Sequence, residues 1–347
     1  METIPVVVIN YNGKRTVLDT IRSIYEMEDV QVRVYMVDDG STDGSPDLVS
    51  KTFPEVTIQR EPKNIGKLNV MRNKALQLVD SKWVLITDND IIFDKKCLAE
   101  LLRVMKSDES IATCTPRLMN MDRPEYVYTA DTKVHFIGAA IGELRGKKLD
   151  PRQLKITSNS GGGIVLLDRE KALEVGGYDE DYLMGWGDDG EFYQRLLRAG
   201  YKCLFVPSAY ALHEEKPFGK LRHYRAVGQI YNRWLFILTH YSIVTLVLLL
   251  PAFVLYELMQ FAFMTAKKMP HLYIKGNLLV LKNLPLILKK RKKIQKLRKV
   301  SDKNVLYSGH IYVAPSVLQN NAMLRVSVGM ISIFFNLYWK IVKIFIP

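Results

Sequence analysis

From Trp234 to Tyr256 the chain runs through 23 residues without one Asp, Glu, Lys or Arg, and only Glu257 interrupts the apolar run before Ala266. A stretch of that length exceeds the ~20 residues that a bilayer-spanning helix needs. A core helix of a water-soluble domain is a poor alternative, because too little chain is left to bury it. Pro251, near the middle, would kink or break a helix. The charge follows the same division. The net charge of the 347 residues is +13, yet residues 231–347 hold 17 Lys and Arg against Glu257 and Asp302 alone. Residues 1–230 hold 32 basic and 34 acidic side chains. Two regions with different solvents are implied, with a boundary placed at 232/233.

The first region has another pattern. Val6–Ile9, too short and unflanked for a secretory core, reads as a buried strand. An amphipathic stretch follows, with Val17, Ile21 and Ile24 on one helical face. Then come Val32–Val37, a helix near Pro46–Lys51, Val56–Ile58, a helix from Ile65 to Val79, Trp83–Thr87, a helix near Cys97–Met105, and Ile111–Thr115. Such alternation marks βαβ units and a mostly parallel sheet. Cys97, Cys114 and Cys203 are far apart, which excludes a cysteine-rich zinc module and fits a reducing compartment. No GxxxxGK[ST] and no GxGxxG after the first strand is present, which excludes P-loop and dinucleotide-binding readings.

Ligands of such sheets bind at the carboxyl ends of the strands. Asn10-Tyr11-Asn12-Gly13 follows the first strand, Asp38-Asp39-Gly40-Ser41-Thr42-Asp43 the second, and Asp88-Asn89-Asp90 the fourth. Each could be a plain turn. Two carboxylates at i, i+2 after a buried strand nevertheless repel unless a cation lies between them, and oxygen ligands suit Mg²⁺ or Mn²⁺. Further on, Gly161-Gly162-Gly163 lets backbone approach a ligand or simply turns. A helix starting near Asp188 and ending at Gly200 opens with Asp188, Asp189 and Glu191. Acids there complement the helix dipole, but like charges that close also raise one another's pKa, which suits a general base. His213 follows another strand, Cys203–Val206.

These motifs, in this order over residues 4–240, resemble the family 2 glycosyltransferases of GT-A fold. The marks are Asn10-Tyr11-Asn12, Asp38 to Asp43, Asn64-x-Gly66 with Arg72-Asn73, Asp88-Asn89-Asp90, Gly176-Gly177-Tyr178-Asp179-Glu180, and Trp186-Gly187-Asp188-Asp189 with Arg195. The resemblance implies an α/β fold, Rossmann-like with a mostly parallel central sheet, over residues 1–232. It implies that Asn10, Tyr11, Asn12, Asp38, Asp39, Arg72 and Asp88 bind a nucleotide-sugar donor. Asp90, with Asp88 and His213, would hold Mg²⁺ or Mn²⁺. Asp189 would be the catalytic base, with Asp188 beside it, and Gly162, Gly163, Trp186 and Glu191 would meet the acceptor. Many relatives have Glu-Asp where this chain has Asp188-Asp189. The expected reaction is inverting transfer of one sugar to a glycan, a lipid-linked saccharide before others, at the cytoplasmic membrane face. The alternatives are a processive polysaccharide synthase, a polyprenyl-phosphate sugar synthase, or a non-catalytic membrane-bound binding scaffold. Processive relatives carry Gln-x-x-Arg-Trp, whereas Gln229 precedes Arg233-Trp234 by one residue too many.

With a cytoplasmic catalytic region, one span over 234–266 would export the basic residues that follow, against the tendency of Lys and Arg to stay inside. A re-entrant hairpin bent near Pro251 avoids this. A span with a return through 272–288 does so at greater cost, because Lys275, Lys282 and Pro285 lie in the return. Residues 289–299 carry eight positive charges in eleven positions. Beside apolar helices these suit anionic membrane lipids better than nucleic acid. In the tail 325–346, Arg325, Gly329, Ser332, Asn336, Lys340 and Lys343 form a narrow polar stripe on an otherwise apolar helix, which suits an interfacial helix.

Overall fold

The computed structural model describes residues 2–141, 144–148, 154–184, 187–214, 223–310 and 322–347. Strand and helix alternate first: β1 (Thr3–Asn10), α1 (Val17–Tyr25), β2 (Gln31–Asp38), α2 (Ser45–Thr52), β3 (Thr57–Arg60), α3 (Leu68–Leu78), β4 (Trp83–Asp88), β5 (Ile91–Phe93) and α4 (Cys97–Met105). Strands dominate the middle, with β6 (Ile111–Asn120), β7 (Val127–Thr129), β8 (Lys133–His135), β9 (Ala139–Ile141), β10 (Thr157–Ser158) and β11 (Val165–Asp168). After α5 (Arg169–Glu174), α6 (Gly190–Arg198) and β12 (Lys202–His213), the rest is helical. It comprises α7 (His223–His240), α8 (Ile243–Ala266), α9 (Pro270–Lys282), α10 (Leu284–Leu297), α11 (Asp302–Val305) and α12 (Ala322–Val342).

The chain forms two compact units, interleaved along the sequence. One comprises Met1–Asp131, Leu144–Glu180 and Tyr201–Lys216, the other Thr132–Glu143, Asp181–Gly200 and Pro217–Pro347. The first holds a sheet of order β10-β12-β6-β11-β4-β1-β2-β3. β3, β2, β1 and β4 are parallel, β11 runs antiparallel between β4 and β6, and β12 is parallel to β6. The mostly parallel sheet therefore matches the expectation. Val17, Ile21 and Ile24 of α1 are fully buried in the core beneath it. Each contributes about 1.5–3 kcal/mol relative to exposure. The third helix starts at Leu68 rather than Ile65, because residues 64–66 form a loop held by Asp39.

In the helical unit the long apolar run is divided. Residues 234–240 belong to α7, where Leu235, Phe236 and Ile237 are core residues. The chain turns at Tyr241-Ser242, and Pro251 lies inside the continuous α8. The bend expected near Pro251 is thus absent. Ser242 caps α8 instead, accepting from the Thr245 N–H, which is why the break falls there. The expected return through 272–288 is split between α9 and α10, with Pro285 in the first turn of α10, where its missing N–H costs nothing.

Candidate active site

Register brings the strand-end residues of the sheet unit together. Asn10 lies opposite Asp38, and Ile9 opposite Asp88. Asn10 and Asp38 are fully buried. The Asn10 Nδ2 donates to Asp38 Oδ1 at 2.6 Å and to Ser45 Oγ at 2.9 Å, and Asn10 Oδ1 accepts from Asn89 at 2.7 Å. Asp38 also accepts from the Ser41 N–H and hydroxyl. The two residues therefore brace the strand-end loops from within. Asp39 accepts from the N–H groups of Ile65 (2.7 Å) and Gly66 (3.0 Å) and from Asn64 Nδ2 (3.0 Å). Tyr11 and Asn12 are exposed, and Asn12 has φ 49°.

Arg72 is buried, bonded to Asn69 Oδ1 at 3.0 Å, and lies over the Tyr178 ring at 5.3 Å. A methyl group on Gly163 would stand 3.0 Å from Asp88 Oδ2 and 3.8 Å from an Arg72 nitrogen. Gly163 is therefore a close-approach glycine on the Asp88–Arg72 side.

His213 ends β12 and pairs with Ile91 of β5, which sets it beside Asp90. Its Nε2 lies 3.6 Å from Asp90 Oδ1, and its Nδ1 lies 2.7 Å from the Glu214 carbonyl oxygen. A carbonyl only accepts, so Nδ1 carries a proton, and Nε2 is the ring nitrogen turned toward Asp90. A buried carboxylate and an imidazole of fixed tautomer are suited to a divalent cation. Among the described residues no group of three His, Cys, Asp or Glu is gathered as a metal site, and of the expected ligands Asp90 and His213 are the two that meet. The His213 ring stacks on Tyr128 (4.1 Å, 10°), and Arg145 covers Tyr128 at 4.7 Å. Burial pushes the Tyr128 phenol up, and Asp90 and Asp88 add to the shift. Neither Tyr128 nor Arg145 was legible in the sequence, because the loops around them have no periodic pattern.

In the helical unit Asp189 is the N-cap of α6, accepting from the Gly190 N–H at 2.8 Å. Asp188 and Asp189 are half-buried. Gly200, φ 95°, ends the helix as expected. Trp186 lies outside the described residues. Glu191 differs from expectation. It is 1 % exposed, with one oxygen 2.6 Å from Arg195 Nε and the other 2.7 Å from Arg195 Nη2, and His240 Nε2 is 3.2 Å away. Burial pushes its carboxyl up, but Arg195 and His240 outweigh this and hold it at about 2. It is thus a buried anchor between α6 and α7. Its oxygens are taken up by Arg195 and His240, so it does not join a mutually repelling acidic cluster. A second buried knot joins Asp302 to Arg198 (2.9 Å), Arg298 (2.8 Å), the Ser242 N–H (2.8 Å) and the Thr245 hydroxyl (2.6 Å). Arg233 is used structurally too: it pairs with Glu257 and donates to the Ile137 carbonyl at 2.8 Å.

Residues 6–174 match the family model described as glycosyl transferase family 2, and residues 147–220 match one described as the N-terminal domain of galactosyltransferase. The N-acetylglucosaminyl-diphospho-decaprenol L-rhamnosyltransferase of Mycobacterium tuberculosis is 24% identical over 237 residues, covering 62% of this chain and 76% of its own. A crystal structure of GalNAc-T7 with UDP, GalNAc and Mn²⁺ superposes with a TM-score of 0.57 at 17% identity, covering 70% of this chain and 48% of that one. S. aureus TarS 1–349 with UDP-GlcNAc gives 0.55 at 15% identity, covering 86% and 89%. At these identities the two structures share the fold.

Proposed function

We propose that this chain, whose residues 6–174 match the family 2 glycosyltransferase model, catalyses an inverting, divalent-metal-dependent transfer of one sugar from a nucleotide donor to a lipid-linked glycan. The observation that carries the reading is the Asp90–His213 pair, whose Nε2 is turned toward a buried carboxylate at 3.6 Å. These two residues would hold Mg²⁺ or Mn²⁺, which supplies positive charge against a diphosphate leaving group. The Mn²⁺ in the GalNAc-T7 structure is consistent with this.

In this reading the strand-end loops shaped by Asp38 and Asp39 receive the nucleotide, while Arg72, Asp88 and Gly163 border the donor. Asp189 takes the proton from the acceptor hydroxyl at one carboxylate oxygen as that hydroxyl attacks the anomeric carbon. Asp188 lies beside it. The one displacement inverts the configuration. Transfer of a single sugar is favoured over processive synthesis, because Gln229 is exposed on α7 while Arg233 is spent on Glu257 and Ile137. A lipid-linked acceptor agrees with the substrate named for the M. tuberculosis relative, and a nucleotide sugar made in the cytoplasm would put the reaction on the cytoplasmic face of a membrane.

The test is a panel of nucleotide sugars titrated onto the chain with and without chelator, with the product's anomeric configuration read by NMR. Donor binding that disappears with chelator and with Asp90→Ala, and an inverted product, are expected. Full binding and turnover in excess chelator, or retained configuration, would overturn the mechanism. His213→Ala is expected to shift the metal titration to higher concentration with smaller loss of turnover.

A further inference from the structure

Two helices of the helical unit turn apolar side chains outward. On α8 the polar side chains Thr245, Tyr256, Glu257 and Gln260 are buried or half-buried, whereas Ile243, Val247, Leu250, Val254, Leu258 and Phe261 are exposed. The exposed positions are spaced 4, 3, 4, 4, 3, one continuous stripe of a helix. On α12 Ser332 is buried and Asn336 half-buried beside the anchoring Phe335 and Trp339, while Met330, Ile333, Leu337 and Ile341 face outward. The tail's polar stripe thus points in part toward the protein. A water-facing helix shows the reverse arrangement. Contiguous exposed apolar stripes of this kind mark an interaction surface.

α8 is also tied down along its length, and α12 over its second half. The start of α8 is held by Asp302, through the Ser242 N–H and the Thr245 hydroxyl. Its middle is held by the Arg233–Glu257 pair and by Phe253 against Trp234. Its end is held by Met264, which packs with Ala226 and Val227 of the first turn of α7. α8 therefore lies antiparallel along α7. At 1.5 Å per residue its 24 residues reach about 36 Å, enough to cross a ~30 Å hydrocarbon core, but a crossing would separate one end from the body that holds both. α12 is held by Trp339 stacked on Phe136 at 5.0 Å and by the Tyr338 hydroxyl on the Leu248 carbonyl at 2.6 Å. Beyond it, Lys303 Nζ holds the Ile346 carbonyl at 3.0 Å.

We infer that this unit is monotopic: α8 and α12 lie in the plane of one anionic leaflet, apolar stripes down, and neither crosses it. The occupant follows from charge. Lys267 and Lys268 are exposed where α8 ends. A shallow depression on α9 is lined by Ile274, Leu278 and Leu279 together with His271, Lys275 and Lys282. Apolar carbon with basic groups around it suits a lipid whose headgroup is an anion. The inference shares with the proposed function only the membrane location.

Flotation of the full chain with phosphatidylcholine vesicles, with and without phosphatidylglycerol, tests it in the absence of any sugar. Strong flotation is expected only with the anionic lipid. The pair Leu250→Glu and Val254→Glu is expected to reduce flotation at least about tenfold, while donor hydrolysis, measured in parallel, shows that the variant folds. Depth separates lying from crossing. A fluorophore is attached to Val247→Cys, Val254→Cys or Leu258→Cys, the native cysteines being buried. Equal quenching by nitroxides near the headgroup at all three sites is expected. Deepest quenching at 254 would establish a span and overturn the inference. No flotation, or flotation indifferent to the Glu pair, would overturn it as well. None of these failures bears on sugar transfer.

Discussion

The two units use their carboxylates in opposite ways. In the sheet unit Asp38, Asp39 and Asp43 sit at strand ends and accept from main-chain N–H groups of Ser41, Ile65, Gly66, Lys14 and Ser45. Burial works against the charge of Asp43, yet hydrogen bonds from the Ser45 hydroxyl and the Lys14 and Ser45 N–H groups hold it below the usual range. In the helical unit Glu191 and Asp302 are buried against Arg195, His240, Arg198 and Arg298. The first arrangement shapes a loop around an anion and draws its stabilisation from oriented N–H groups. The second cross-links helices with full charges, where removing one partner strands the other in low dielectric. A substrate loop can therefore be tuned residue by residue, whereas the helical anchor stands or falls as a set.

Asp189 belongs to neither pattern, since it is a half-buried cap rather than a loop brace or a buried pair. Asp189→Asn keeps the cap's acceptor oxygen but loses the base. It is expected to reduce kcat by about 10²–10⁴-fold with donor affinity almost unchanged, read by single-turnover kinetics beside calorimetric donor binding. A kcat within a few-fold of the parent would move the base elsewhere, with Asp188 first.

Glu191→Gln probes the buried set. It is expected to destabilise the fold by about 3–5 kcal/mol, read by denaturant titration, because Arg195 keeps its charge and loses its partner. The pH dependence has a definite sign. The native Glu191 carboxyl lies at about 2 against an ordinary 4.5, so its contribution is complete above the ordinary value and is lost as pH falls from about 4.5 toward about 2. Burial also depresses the native His240 pKa below 6.5, so below that pH the unfolded chain takes up a proton that the native one does not. Both terms make stability rise with pH on the acid side. A flat stability profile below pH 6 would break the contrast between the units.

Gly163→Ala gives the smallest effect. The added methyl group would press Asp88 Oδ2 at 3.0 Å without backbone strain. A few-fold rise in the donor KM with kcat and stability nearly unchanged is expected, as for lost uniform binding. An equal loss of kcat would mean that Gly163 serves the chemical step rather than the donor.

Local chemistry was readable from the residues alone. Apolar β-branched runs at intervals of a helix length specify parallel strands, because period and length are properties of consecutive residues. The polar clusters after β1, β2 and β4 follow from the same reading. So does the separate character of the last third, because uncharged runs and basic clusters show in one dimension. What a side chain faces was not readable. Glu191 and Asp189 are two residues apart with the same charge, and only the packing of α7 beside α6 buries one against His240 and leaves the other half-buried. Asn10 and Asp38 share the composition of binding loops, yet the register of β1 with β2 turns them on each other. The run from 234 to 266 contains both a core helix end and a helix that turns apolar side chains outward. The break falls at Ser242, not Pro251, because a capping hydroxyl beside Asp302 can satisfy the freed N–H groups there. Sequence spacing determines which residues share a face. Only tertiary contacts, made across a hundred residues and paid in chain entropy, decide whether that face meets protein, water or lipid.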